Sequence, residues 1–162
     1  MQSEDLKLNL LSLVGKSIVG VERQILQADI DMQDADCLAD GPTQITFSDG
    51  QILSVYGDTE SQGVVANFEE MHIFGPSYIK IIPSGGFWKD RLGVSICDFA
   101  LWYFMEANSI VSVNFGIEFV FENGLSMIFE YVDNESVSDS IQVVPMVDLS
   151  ARVERVSLKT IS

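Results

Sequence analysis

Apolar and polar residues alternate with a period of two along most of this chain and with a helical period only near its start. Leu6, Leu10, Leu13 and Val14 recur at helical spacing behind Ser3, Glu4 and Asp5, which read as a helix start, and Gly15 reads as its stop. One short amphipathic N-terminal helix is therefore predicted. Beyond it, residues 17–25, 44–49, 51–57, 64–74, 78–82, 109–122, 125–132, 140–147 and 152–161 all tolerate a strand. Asp49-Gly50 and Asn123-Gly124 lie between such arms, and these dipeptides accept the positive φ angles of a tight type I′ hairpin. In the second hairpin Ile117, Phe119 and Phe121 point one way and Glu118 and Glu122 the other, while Leu125, Met127, Phe129 and Tyr131 alternate on the return strand.

Residues 86–108 fit a helix as well as buried strands, because Phe87, Trp88, Leu92, Ile96, Phe99, Trp102 and Tyr103 satisfy both periods. Gly93 argues against one uninterrupted helix. The reading is strand or loop to about Val94, then a short buried helix within 95–106 that includes Asp98 and Trp102. Pro42, Pro76, Pro83 and Pro145 mark turns or edge positions, and no Pro/Ser-rich linker divides the chain. The expectation is one α+β domain over residues 1–162: a predominantly antiparallel β-sheet or half-barrel, the short N-terminal helix, and the further helix near 95–106.

An internal repeat modifies this picture. Ser17-Ile18-Val19-Gly20-Val21 recurs as Ser109-Ile110-Val111-Ser112-Val113, and each copy leads to a hairpin turn, ITFSDG from Ile45 to Gly50 and FVFENG from Phe119 to Gly124. Residues 17–57 and 109–132 thus read as a duplicated strand-and-hairpin unit, with an acidic insertion at 26–43 in the first copy. That insertion carries Asp29, Asp31, Asp34, Asp36 and Asp40.

Charge narrows the partners. Nine Lys and Arg against twenty-four Asp and Glu give a formal net charge of −15, which repels phosphate backbones and anionic lipid. Neither nucleic acid nor a membrane surface is expected as a direct partner. A basic protein is, with encounter accelerated by long-range attraction that weakens as salt is added. The opening segment lacks a basic region before its apolar stretch, and the apolar runs are far shorter than the ~18 residues that span a bilayer, so a cytoplasmic protein is expected. Cys37 and Cys97 sit in no ligand-like spacing and read as free thiols.

No complete catalytic or metal constellation is legible, and no cofactor is expected. Five Asp within twelve positions could bind calcium, but counting from Asp29 position five is Gln33 and position six is Asp34, which fails the EF-hand pattern. The segment reads instead as a partner-facing loop or a solvated connection. His72 is the sole histidine, so a two-histidine metal site is ruled out, and Met71, Ile73 and Phe74 around it suggest a strand residue. Gly85-Gly86 lacks the Lys of a P-loop. Glu118, Glu122 and Glu130 are candidate partner-binding carboxylates, although charges on the wet face of a hairpin also keep sheets from associating. Phe87, Trp88, Trp102, Tyr103 and Phe104 read as core more readily than as a ligand cage.

The early VGKSIVGV strand and the later ITFSDGQILSV hairpin, in a short acidic chain, resemble immunity proteins of bacterial toxin systems, including those of contact-dependent growth inhibition. The resemblance implies a cognate toxin domain, often a basic nuclease, held stoichiometrically by an acidic surface, and no enzymatic activity. Two other readings stand beside it: a β module for a small apolar ligand lined by residues Trp88 to Phe104, and an acidic mimic of nucleic acid.

Overall fold

The computed structural model describes residues 2–73, 75–106, 109–132, 141–146 and 153–159. Helix α1 (Gln2–Leu11) is followed by β1 (Ile18–Leu26), a 3-10 turn (Gln27–Asp29), α2 (Ala35–Leu38), β2 (Thr43–Phe47), β3 (Ile52–Asp58), β4 (Gly63–Asn67) and β5 (Tyr78–Ile81). A second series comprises α3 (Gly86–Lys89), β6 (Ile96–Glu106), β7 (Ser109–Phe121), β8 (Ser126–Tyr131), β9 (Ile141–Val144) and β10 (Val153–Ser157). The strands form two five-stranded sheets in the orders β4-β3-β2-β1-β5 and β10-β6-β7-β8-β9. Every pairing between the described strands is antiparallel, so the α+β, mainly antiparallel class and the short N-terminal helix are as the sequence pattern predicts.

The period of two explains the core. Ile45, Phe47, Leu53 and Val55 from the first sheet share one buried cluster with Phe99, Leu101, Ile117, Phe119, Phe121, Met127 and Phe129 from the second. Leu6, Leu10 and Leu13 of the N-terminal segment join it. Phe119 meets Phe99 and Phe129 edge-on, at 4.8 and 5.5 Å between ring centroids, the arrangement that ring quadrupoles favour.

Four expectations need correction. The region 95–106 is not helical: β6 occupies Ile96–Glu106, and the short helix α3 lies earlier, at Gly86–Lys89. Strand β6 runs between β10 and β7, with Phe99, Leu101 and Tyr103 facing the core and Trp102 and Phe104 the other way. Apolar residues on both faces erase the alternation that distinguishes a strand from a buried helix. Strand β4 ends at Asn67 rather than continuing to 74, and the outer positions of the expected 140–147 and 152–161 segments, like Phe74, lie outside the described residues.

The hairpin turns are also not type I′. In each only the glycine has positive φ, 90° at Gly50 and 86° at Gly124. The Gly50 N–H donates to the Phe47 carbonyl and the Phe47 N–H to the Gln51 carbonyl, both at 2.9 Å, which is a type I turn followed by a left-handed glycine bulge. Phe121, Gly124 and Leu125 repeat the same bonds at 3.0 and 2.9 Å. Asp49 Oδ1 accepts from the Gln51 N–H at 3.0 Å and Asn123 Oδ1 from the Leu125 N–H at 3.1 Å, which holds each turn with its own side chain.

The segments matched as a repeat lie differently in the fold: those of the first copy are on two strands, β1 and β2, and those of the second on one, β7. Ser17 and Ser95 pair across the sheets, and their carbonyls accept from the Ser48 and Glu122 N–H groups of the two turns, each at 2.9 Å. Strands β6 and β7 stay paired out to Glu106 and Ser109, whereas β1 stops at Leu26 and the chain enters the acidic segment.

Candidate functional site

The acidic segment is anchored from beneath by a buried arginine. Val21, Arg23 and Ile25 alternate on the inward face of β1, which places a guanidinium where an aliphatic side chain would ordinarily sit. Arg23 is fully buried and donates through Nε to Thr43 Oγ1 at 2.9 Å, through Nη1 to the Asp36 and Cys37 carbonyls at 3.1 Å each, and through Nη2 to the carbonyls of Gly41 and Ile141 at 2.8 and 3.3 Å. A single planar fork thereby ties β1, the acidic segment and β9 together. Burial lowers the Arg23 pKa to about 10, with the Asp36 and Asp40 carboxylates opposing that shift, so the group remains a cation at neutral pH.

The segment is further fixed by short-range bonds. Asp36 Oδ2 accepts the Gly85 N–H at 3.0 Å, and the Asp36 carbonyl also accepts Trp88 Nε1 at 3.2 Å. Buried Cys37 is pushed up to about 12, by burial first and then by Asp36, so it stays a thiol. Asp31 and Asp34 are exposed, with Asp34 in the left-handed region at φ 56°, while Asp29, Asp36 and Asp40 are half-buried. Ile30, Met32 and Leu38 are exposed among these carboxylates.

The other candidates divide. Glu118 is buried and receives Trp102 Nε1 at 2.8 Å, Ser126 Oγ at 2.7 Å, and Arg155 Nε and Nη2 at 2.8 and 3.3 Å. It is therefore a buckle between β6, β7, β8 and β10, not a solvated carboxylate facing a partner. Glu122 is exposed in the turn after β7, and Glu130 of β8 accepts Gln142 Nε2 of β9 at 2.8 Å. Glu122 thus lies apart from Glu118 and Glu130, which share the outer face of the second sheet.

Among the described Lys and Arg, Arg23 and Arg91 lie inside. Arg91 donates to the carbonyls of Ser126 and Phe87 at 2.9 and 2.8 Å and lies 3.8 Å above the Phe87 ring. Neither is available to an external anion. Lys16 pairs with Asp49 at 2.6 Å and Lys80 with Glu22 at 3.7 Å. Among the described residues no group of three or more His, Cys, Asp or Glu is placed to hold a metal ion. His72 is exposed, stacked on Tyr56 with centroids 5.7 Å apart.

Of the aromatic stretch, Trp88 and Tyr103 are buried and Trp102 is half-buried, while Phe104 is 43% exposed and stacks on Phe115 at 4.1 Å. An open depression lies elsewhere, lined by Leu26, Gln27, Ala28, Pro76 and Ser77. Sequence reasoning missed Arg23, whose signal was a charge at an inward position of an alternating strand, and the exposed Ile30 and Met32, whose signal was aliphatic residues inside an acidic run. No family model matches the chain, and neither a curated protein nor a solved structure was found to be similar to it.

Proposed function

We propose that this protein acts by stoichiometric binding of a basic protein domain, in the manner of an immunity protein that neutralises its toxin inside the cell. The observation that carries the reading is the anchoring of the acidic segment: Arg23 and Trp88 fix the backbone at Asp36 from below, so the exposed carboxylates of Asp31 and Asp34 are presented on a held frame. A preorganised charged surface loses less conformational entropy on binding than a mobile one. The surplus of fifteen negative charges supports the same partner class, because it attracts cations and repels nucleic acid and anionic membrane.

The test is recovery of the partner from the source cell, identification by mass spectrometry, and reconstitution of the pair from purified components. A basic domain bound one-to-one, whose own activity falls on mixing and whose association slows with salt, supports the reading. Recovery of a neutral or acidic partner, or turnover of a substrate by this chain alone, overturns it.

A further inference from the structure

We infer that the end of the first sheet where β1 stops and β5 starts is the docking surface for a cationic protein segment that seats an apolar side chain there. This rests on the basic-partner reading above and specifies which surface meets the partner. The Gln27 N–H donates to the Ser77 carbonyl at 2.8 Å, drawing the chain after β1 against the chain before β5. Leu26, Ala28 and Pro76 give the depression between them its apolar lining.

Two isoleucines flank this depression along the chain, Ile30 two residues beyond Ala28 and Ile73 three residues before Pro76. They are 42% and 84% exposed, and Met32 adds a third apolar side chain at 41%. Their exposure does not come from loose backbone. The Ile30 N–H bonds the Gln27 carbonyl at 3.3 Å and the Met32 N–H the Asp29 carbonyl at 3.1 Å. On the other side, residues 69–72 cross the outer face of the sheet: the Glu69 carbonyl accepts Ser54 Oγ at 2.5 Å, the Met71 N–H donates to Gln44 Oε1 at 2.8 Å, and the His72 carbonyl accepts Gln24 Nε2 at 2.6 Å. Ile73 follows directly from this fixed strap.

Aliphatic groups held in water by a bonded backbone gain free energy when a partner covers them. What surrounds them defines that partner. Asp29, Asp31 and Asp34 follow Ala28 in the chain and Glu69 and Glu70 precede Ile73 in the strap, while Lys80 at this edge lies 3.7 Å from Glu22. Exposed aliphatic groups with carboxylates beside them in the chain are complementary to an aliphatic or aromatic anchor flanked by Lys or Arg.

The experiment uses the full chain labelled with 15N and two probes, an amphipathic helical peptide of Lys and Leu and an oligolysine of equal charge. The expected result is amide shift changes from the Lys–Leu peptide clustered at 26–34, at His72 and Ile73, and at Ser77 and Tyr78. The double variant Ile30→Ser, Ile73→Ser should bind that peptide about tenfold more weakly, bind oligolysine unchanged, and keep its melting temperature. Shift changes centred on Trp102 and Phe104, with the variant binding normally, would overturn the location and leave the basic-partner reading standing. Failure of both peptides to bind at low salt would overturn both.

Discussion

Gly15 and Gly93 hold reciprocal positions in the seam between the two sheets: the Gly15 N–H donates to the Ile96 carbonyl at 2.7 Å and the Gly93 N–H to the Ile18 carbonyl at 2.9 Å. Each precedes the Ser-Ile pair that opens a strand, and each has positive φ, 91° and 80°. A Cβ at either would meet nothing within 4 Å, so substitution carries a conformational cost and no clash. Gly15→Ala and Gly93→Ala should each lower stability by about 1–2 kcal/mol in urea unfolding, and Asn should cost less than Ala. A loss at one site alone would show that the two seam bonds are not equivalent.

Arg23→Met should destabilise by about 3–5 kcal/mol, because it removes the donor from four buried or half-buried carbonyls at once. The acidic segment should also become the first site of proteolysis. Chemical denaturation and limited digestion together check this, and a loss under about 1 kcal/mol would mean the segment is held by other contacts.

Glu118 sets an acid-dependent part of stability. Burial by itself raises its pKa, but donors from Arg155, Ser126 and Trp102 outweigh burial and hold the carboxyl below its ordinary 4.5. The folded chain therefore binds fewer protons here than the unfolded chain. The contribution is present above the unfolded pKa and is lost as pH falls through the lower folded value. Glu118→Gln should cost about 1–3 kcal/mol at neutral pH and flatten the decline of stability in acid. Parallel acid profiles for variant and parent would contradict this.

Phe47 and Phe121 enter the core at the same place in the two matching turns, each with 1% of its surface exposed. Phe47→Ala and Phe121→Ala should each cost about 3–5 kcal/mol in denaturant. A value near zero for either would place that ring outside the cooperative core.

For binding, Asp29, Asp31 and Asp34 replaced together by Asn should leave the melting temperature nearly unchanged, slow association with the basic partner and reduce its salt dependence. Asp36 behaves differently, since its carboxylate accepts the Gly85 N–H. Asp36→Ala should cost about 1–2 kcal/mol of stability before any effect on binding is read. Unaltered association rates at low ionic strength in the triple variant would move the interface away from this segment.

Local patterning determined the element types over most of the chain: the helical spacing of Leu6, Leu10 and Leu13, the alternation through Ile117, Phe119 and Phe121, and the two glycine turns were legible without coordinates. These are periodic or adjacent features, and the backbone imposes the period. Tertiary structure decided the rest. Residues 96–106 are a strand because β10 and β7 pair along its two edges, a fact that no local period records. Arg23 and Glu118 have the composition of surface residues. Their roles depend on donors and acceptors supplied from afar, Ile141 to Arg23 across 118 positions and Arg155 to Glu118 across 37. A charge can be buried only where such partners converge, and that convergence is set by strand order within the second sheet for Glu118 and by contact between the two sheets for Arg23.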